Sequence, residues 1–372
     1  MTGIPFFQDA VFLATQIRSE PNRFVRPIAE VFAFVIDFLF NLVYSIGPRH
    51  SLGFAIILMT IVFRVALLPL GIKSQRSMMK MQQLNPEVDK IRKKYGDTKD
   101  REKLQKMNQE IQALYAKHDV NPLKGCLPML IQMPLFFGLN FIMHQAFLYI
   151  TRLRELYFDL STSIQHITPH LPGGYNFLRE LARPYIPDAW QNNALALQNL
   201  VDGGMRIEDA LDQVGDVIVL SIPEHLSRVI NRFTMDDWDR LFYYIPNHYL
   251  PHIQDLFYHR QDIVTFFGLP LVENAGWAFP GILIPILAII TTFISSWLGQ
   301  QVSKPKDDKM KTQQTIMLVI MPFFMGFITI GLPGGVGLFW ITSSLIQMVQ
   351  QIIMNAQAGV KLKLPFSSGK QE

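Results

Sequence analysis

The chain has 372 residues, of which 49% are apolar and only 17% charged, with 28 Phe and 17 Met. An average soluble domain carries about 25% charged residues, and here the mean hydropathy is positive at +0.18 with a pI near 9.0. The apolar excess lies in long runs, which excludes a string of soluble domains and points to an all-α, polytopic membrane protein. The single cysteine, Cys126, excludes a disulfide framework, a Cys-ligated zinc site and a CxxC redox centre.

In chain order, residues 1–50 form an N-terminal outer segment. Its start lacks a basic region followed by an apolar core and a small-residue cleavage site, so no cleaved signal peptide is expected. Ile28 to Ile46 is apolar but carries Glu30, Asp37 and Asn41, bounded by Pro27 and by Gly47-Pro48, and reads as an amphipathic helix lying in the interface. Span 1 is expected over 51–71 and span 2 over 125–150. Between them, 72–124 reads as a helical hairpin. Met81, Leu84, Val88, Ile91 and Tyr95 make one short apolar stripe, Leu104, Met107, Ile111 and Leu114 a second, and Gly96-Asp97-Thr98 the turn. Asn85-Pro86-Glu87 predicts a helix restart. The pair is either a solvated loop closure or a docking lid whose Met side chains adapt to partners. Residues 151–276 form an acidic, α-helical extracytoplasmic insert, with Glu224, Asp236 and Asp237 near helix starts. Three further spans follow at 277–300, 315–333 and 335–355, separated by a loop at 301–314 and followed by a tail, 356–372.

Charge orients the spans. Residues 71–125 hold 13 Lys+Arg against 7 Asp+Glu, a net of +6, while 151–276 hold nine Arg, no Lys and 16 acids, a net of −7. Short loops rich in Lys and Arg stay cytoplasmic. The expected topology has the N-terminus outside, the hairpin, the 301–314 loop and the tail inside, and the insert outside.

No HExxH, GxSxG, Walker A or GxGxxG motif stands in a usable context, and the five expected spans hold no Asp, Glu or Lys. His248 and His252 have metal-like spacing, but Pro251 intervenes and no carboxylate completes a site. No catalytic residue, metal or cofactor is therefore expected, and no direct nucleic-acid reader. Arg64 is the exception among apolar neighbours. It lies in FAIILMTIVFRVALLPL, roughly 18 Å along the first span by helical rise. A central arginine costs about 2.5–3.5 kcal/mol on insertion scales, and no acid in any span offsets it. Thr60, Gln132, Thr291, Thr292, Ser295, Ser296, Thr342 and Gln347 add polarity in the other runs. Together they outline a partly polar interior open to the cytoplasm. By residues alone, a transporter or channel for an anionic small molecule remains an alternative reading.

The run from Asn121 to Pro134, NPLKGCLPMLIQMP, resembles the second core span of the YidC, mitochondrial oxidase-assembly and chloroplast Albino membrane insertases. KMQQLNPEVDKIRKKYGD, PILAIITTF, QQTIMLVIMPFF and LPGGVGLFW resemble that family in the same order. The resemblance implies a bacterial plasma-membrane insertase and chaperone with five core helices around a hydrophilic groove, in the compact form without a large N-terminal periplasmic domain. It implies nascent membrane protein clients and the lipid bilayer as partners, with the general secretion channel and the ribosome as candidate partners. It makes Arg64 the groove arginine, and Thr60, Gly335, Phe339 and Trp340 client contacts along an apolar slide. Ser296 stands where many members carry glutamine.

Overall fold

The computed structural model describes residues 26–96, 100–118, 120, 123–186, 193, 196–197, 199–206, 209–210, 213, 220–301, 315–357 and 359. These residues are overwhelmingly helical. They divide into two compact units: Met1–Leu52 with Phe141–Phe266, and Gly53–Asn140 with Phe267–Glu372. The N-terminal segment thus groups with the acidic insert, a pairing invisible in chain order.

The first unit opens with α1, Arg26–Ile46. Phe32, Ile36, Leu39 and Phe40 are buried along one of its faces. Its polar residues serve the insert: Asp37 accepts hydrogen bonds from the Thr151 backbone N–H at 2.7 Å and from its hydroxyl at 3.3 Å. That carboxylate caps α7, Thr151–Ile167, whose own flanking residue offers no side-chain cap. After α7 come α8 (Tyr175–Ala182), α9 (Pro223–Ile230), α10 (Met235–Tyr244) and α11 (Leu250–Val264). Proline in the first turn starts α9 and α11, where its missing N–H costs nothing. Thr234 and Asp237 form a reciprocal capping box at α10. Ile207 to Val214, where apolar residues also recur at helical spacing, lies largely outside the described residues.

The core of this unit is partly polar. Arg260 is fully buried, and its Nε donates to the Tyr157 hydroxyl at 2.6 Å, which donates to Asn231 Oδ1 at 2.9 Å. Ser161 and Ser227 share a hydrogen bond at 2.7 Å beside them. Burial, with the Arg228 charge as a second cause, pushes the His225 imidazole down to about 3.

The second unit holds the remaining apolar helices. α2 runs from Ser51 to Gln83 without a break at Gly71, well beyond the expected end of span 1, and contains Pro69. That proline has no N–H to give the Val65 carbonyl. α2 stops at Leu84 and the chain restarts as α3, Asn85–Tyr95, with proline in its first turn. Leu84, rather than Asn85, occupies the cap position, and it makes no side-chain cap bond. α3 ends at Gly96, whose φ of 62° is the left-handed conformation that glycine tolerates. Residues 97–99 of the expected turn lie outside the described residues. α4, Arg101–Lys117, starts at an Asp100 cap and packs on α3, where Glu110 accepts from Lys94 and from the Tyr95 hydroxyl, both at 2.7 Å. Val88 is buried but no residue of α4 is, so the two apolar stripes meet only lightly.

α5 spans Leu123–His144 and ends in a turn at Gln145, followed by the one-turn α6, Ala146–Tyr149; the last turn of α5 and all of α6 fall in the first unit. The last three apolar helices are α12 (Leu283–Gly299), α13 (Met321–Ile330) and α14 (Gly334–Gln357). A π-helical stretch, Ile316–Ile320, leads into α13 just before Pro322. The wider i→i+5 register absorbs the hydrogen bond that the proline cannot donate. Among the described residues, two helical segments are long and apolar enough to cross a bilayer unaided, Ser51–Met81 and Gly334–Gln357, and shorter apolar helices include Leu283–Gly299 and Leu318–Ile330.

Glycine sets how closely these helices approach. A methyl group at Gly334 would overlap the Pro270 carbonyl, at Gly337 it would overlap Ile284, and at Gly326 it would overlap Ile289. With little hydrophobic drive between helices in lipid, such contact through small residues is what holds them.

Two tests follow from this packing. Gly334→Ala should destabilise more than Gly337→Ala, because a backbone carbonyl cannot turn aside as the Ile284 side chain can. Overpacking typically costs about 1–3 kcal/mol, so thermal melting in detergent should fall clearly for the first variant, and equal melting of the two would contradict the assignment. For the insert, the unfolded chain takes up a proton on His225 near pH 6.5, well before the folded one does. Its stability is therefore complete above that pH and falls as pH drops toward 3, by about 1.4 kcal/mol per unit from this group. His225→Gln should flatten that acid limb in melting curves of the full chain.

Candidate functional site

Arg64, Thr60, Gln132, Ser296, Gly335, Phe339, Trp340 and Gln347, the residues expected to line a groove, all lie in the second unit. On α2, Leu52, Ala55, Ile56, Met59 and Thr60 are buried at helical spacing. The Thr60 hydroxyl donates back to the Ile56 carbonyl at 2.7 Å, a bond that leaves its oxygen free to accept. One turn on, burial ends. Arg64 is half-buried on the same face, with Leu67 and Gly71 beyond it, while Ile61, Val62, Val65 and Leu68 are exposed. Among the described residues Arg64 has no ion-pair or hydrogen-bond partner.

α14 shows the same gradient. Every residue from Gly334 to Phe339 is buried, Phe339 being 2% exposed, and Trp340 and Ile341 are half-buried. Beyond Ser344, exposed Leu345, Val349, Ile352 and Ile353 alternate with buried Gln351, Met354 and Asn355. On α5, Gly138 and Leu139 are buried, while Gln132, Leu135 and Phe136 are only half-buried. Burial is thus concentrated at the N-terminal ends of α2 and α14 and toward the C-terminal end of α5.

The closed end is built from backbone. Gly334 and Gly335 donate their N–H groups to the carbonyls of Glu273 and Leu271 at 2.9 and 2.7 Å. Ala275 and Gly276 donate to Leu332 and Ile330, both at 2.9 Å. Segment 271–276 thus satisfies orphan groups at the α13 end and the α14 start. This is where Gly335 sits, as a buried backbone donor.

Trp340 is fixed on two sides. Its indole Nε1–H donates to the Thr292 hydroxyl at 3.0 Å, and Phe136 meets the ring edge-on with centroids 6.2 Å apart. The helical period places Ser343 and Gln347 on the Trp340 side of α14. Gln347 is exposed, while the Ser343 hydroxyl is buried without a hydrogen-bond partner among the described residues. On α12, Thr291 and Ser295 are buried and Thr292 and Ser296 half-buried. The structure thus brings Trp340 and Thr292 into contact and sets Thr60 and Arg64 on one helix face. The arrangement offers one positive charge, hydroxyls and amides. Among the described residues no group of three or more His, Cys, Asp or Glu could hold a metal.

Sequence reasoning missed the amides toward the C-terminal end of α14. Gln350 Nε2 donates to Gln75 Oε1 at 3.0 Å, joining α14 to α2. Gln351 Nε2 donates to Asn355 Oδ1, and Asn355 Nδ2 to the Leu298 carbonyl, both at 2.9 Å. Asn355 is fully buried and serves a carbonyl in the last turn of α12. The available signal was the amide pair at i and i+4 in an apolar helix. Asn355→Leu should leave that carbonyl and the Gln351 amide unpaired, at about 1–3 kcal/mol for each lost buried partner. Melting in nanodiscs should drop, while Gln347→Leu, at an exposed site, should change it little.

The sequence matches the family model described as 60Kd inner membrane protein over residues 43–185 and 241–361, more than half of the chain. Similar relatives include the "Membrane protein insertase YidC" of Syntrophus aciditrophicus (strain SB), 40% identical over 162 residues, covering 42% of this chain and 27% of the relative. The protein of the same name from Anaeromyxobacter dehalogenans (strain 2CP-C) is 44% identical over 120 residues, covering 32% and 20%. "Membrane protein insertase YidC 1" of Bacillus cereus is 43% identical over 111 residues, covering 30% and 43%. The aligned part of the chain thus spans between 20% and 43% of the length of these relatives. The chain belongs to the 60Kd inner membrane protein family, the group that includes the YidC insertases, and is a multi-pass membrane protein.

Proposed function

We propose that this protein is a membrane protein insertase and chaperone that receives hydrophobic client segments in a polar groove and releases them into the bilayer. The observation that carries the reading is Arg64, half-buried in an apolar helix without a carboxylate partner among the described residues. The burial gradients on α2, α5 and α14 support a groove closed at one end and open at the other. In this reading α2, α5, α12, α13 and α14 are the five core spans, the open end faces the cytoplasm, and α3 and α4 form the hairpin over it. The N-terminus and the insert lie outside, and the tail inside.

The physical step is a lowered barrier without covalent chemistry. A polar client tail crossing hydrocarbon loses its hydration, at several kcal/mol for each unsatisfied group. Hydroxyls and amides lining a groove shorten the stretch over which that loss occurs. Arg64 attracts acidic residues in such a tail, more strongly than water would allow because the local dielectric is lower. The apolar segment meanwhile slides along α5 and α14 near Trp340, with Phe339 becoming a contact where the packing opens. Clients and the bilayer are the partners, and the secretion channel and ribosome are candidates.

Matched single-span clients with acidic and neutral tails, inserted into proteoliposomes, test this. Arg64→Lys should retain substantial activity. Arg64→Ala should slow the acidic-tail client by about tenfold, the factor that ~1.4 kcal/mol carries, and Arg64→Glu should be worse. The neutral-tail client should be affected less. Equal loss for both clients would mean that Arg64 acts by hydrating or shaping the groove, and anion uptake by client-free liposomes would favour a transporter.

A further inference from the structure

α1 has three faces. One is buried within its unit, and a second exposes Val31, Phe34, Phe38, Leu42 and Ile46 at 51% to 86%. Those five residues span about 22 Å along the helix axis. Beside them runs a polar strip of Glu30, Asp37, Asn41 and Tyr44. Asn41 lies roughly 60° around the helix from Phe38, at the rim of the exposed apolar face.

Arg152, from the first turn of α7, is seated on that strip. Its Nε donates to Asn41 Oδ1 at 3.0 Å, and its guanidinium carbon lies 4.9 Å from the centroid of the Tyr44 ring. Tyr44 is itself held by a hydrogen bond to His259 at 2.9 Å and by stacking on Phe40. Arg152 is exposed, and its two Nη groups have no hydrogen-bond partner among the described residues. Both oxygens of Asp37, one turn before Asn41, are engaged by Thr151. Arg49 is paired with Asp262 at 3.3 Å. A guanidinium held by its Nε and stacked on a ring keeps its outer N–H fork ready for the planar, bidentate contact that phosphate prefers.

We propose that Arg152, Asn41 and Tyr44 form a headgroup site for an anionic phospholipid whose acyl chains lie against Phe34, Phe38 and Leu42. The apolar face supplies the larger, non-directional part of the binding. The guanidinium fixes the depth at which α1 rests. Because α1 is tied to α7 through Asp37, the lipid also orients the insert over the membrane. The proposal rests on membrane residence and is independent of the insertion reading.

Purified full-length protein, titrated with phosphatidylglycerol and read by native mass spectrometry, tests it. The unaltered chain should retain one lipid preferentially, with phosphatidylcholine held more weakly. Arg152→Gln should weaken retention by about tenfold, Arg152→Lys should recover part of it, and Arg154→Gln, at an exposed arginine without a contact to α1, should change nothing. Inorganic phosphate should not displace the lipid. Unchanged retention in Arg152→Gln would overturn the proposal. So would an equal loss in Arg154→Gln, which would indicate diffuse charge attraction, equal retention of phosphatidylcholine, or displacement by free phosphate.

Discussion

A peptide group at a helix end has no partner within its own helix, so where water is excluded one must be built for it within the protein. The arrangement of α12, α13 and α14 follows from that requirement. At one end the extended segment 271–276 lays its carbonyls and N–H groups against residues 330–335. At the other, a buried asparagine reaches across from α14 to the Leu298 carbonyl. Once both ends are satisfied by fixed partners, the helices have little freedom to slide. The glycines at 326, 334 and 337 then let them close to a distance at which any other residue would collide.

Against that tightly satisfied frame, Arg64 and its surroundings are under-satisfied. The same helix face is closed at Thr60 and half-open one turn later. Pro69, a little further on, withholds a backbone donor from the same stretch. The Ser343 hydroxyl is buried without a partner. Native interiors seldom leave polar groups in this state unless the state has a use. On the proposed reading, a surface that holds clients briefly and lets them go benefits from polar groups without permanent partners inside the protein.

The other unit solves a different problem. Its centre holds the Arg260, Tyr157, Asn231 and Ser227 network beside its aliphatic side chains. Trp238 and Phe257, with rings 4.8 Å apart, supply the aromatic part of the core. Such networks tolerate little rearrangement, because each member left unpaired in a low dielectric is costly.

The residue order alone determined that the chain is helical, apolar and built for a membrane, because run length and charge segregation are one-dimensional properties. It also marked the restart at Asn85-Pro86, the glycine stop at Gly96 and the acidic starts of α9 and α10, since caps act within a turn of helix. Arg64 was legible for the same reason, as a lone charge in an apolar run. Tertiary structure alone decided that α1 belongs with the insert, since that grouping joins segments more than a hundred residues apart through Asp37, Asn41 and Tyr44. It decided too that Gly335 is a backbone donor at the closed end, and that Gln75, Gln350, Gln351 and Asn355 tie helices together. An amide in a sequence carries no mark of the partner it will find, and a glycine does not say whose carbonyl it makes room for. Those identities exist only once the helices have packed.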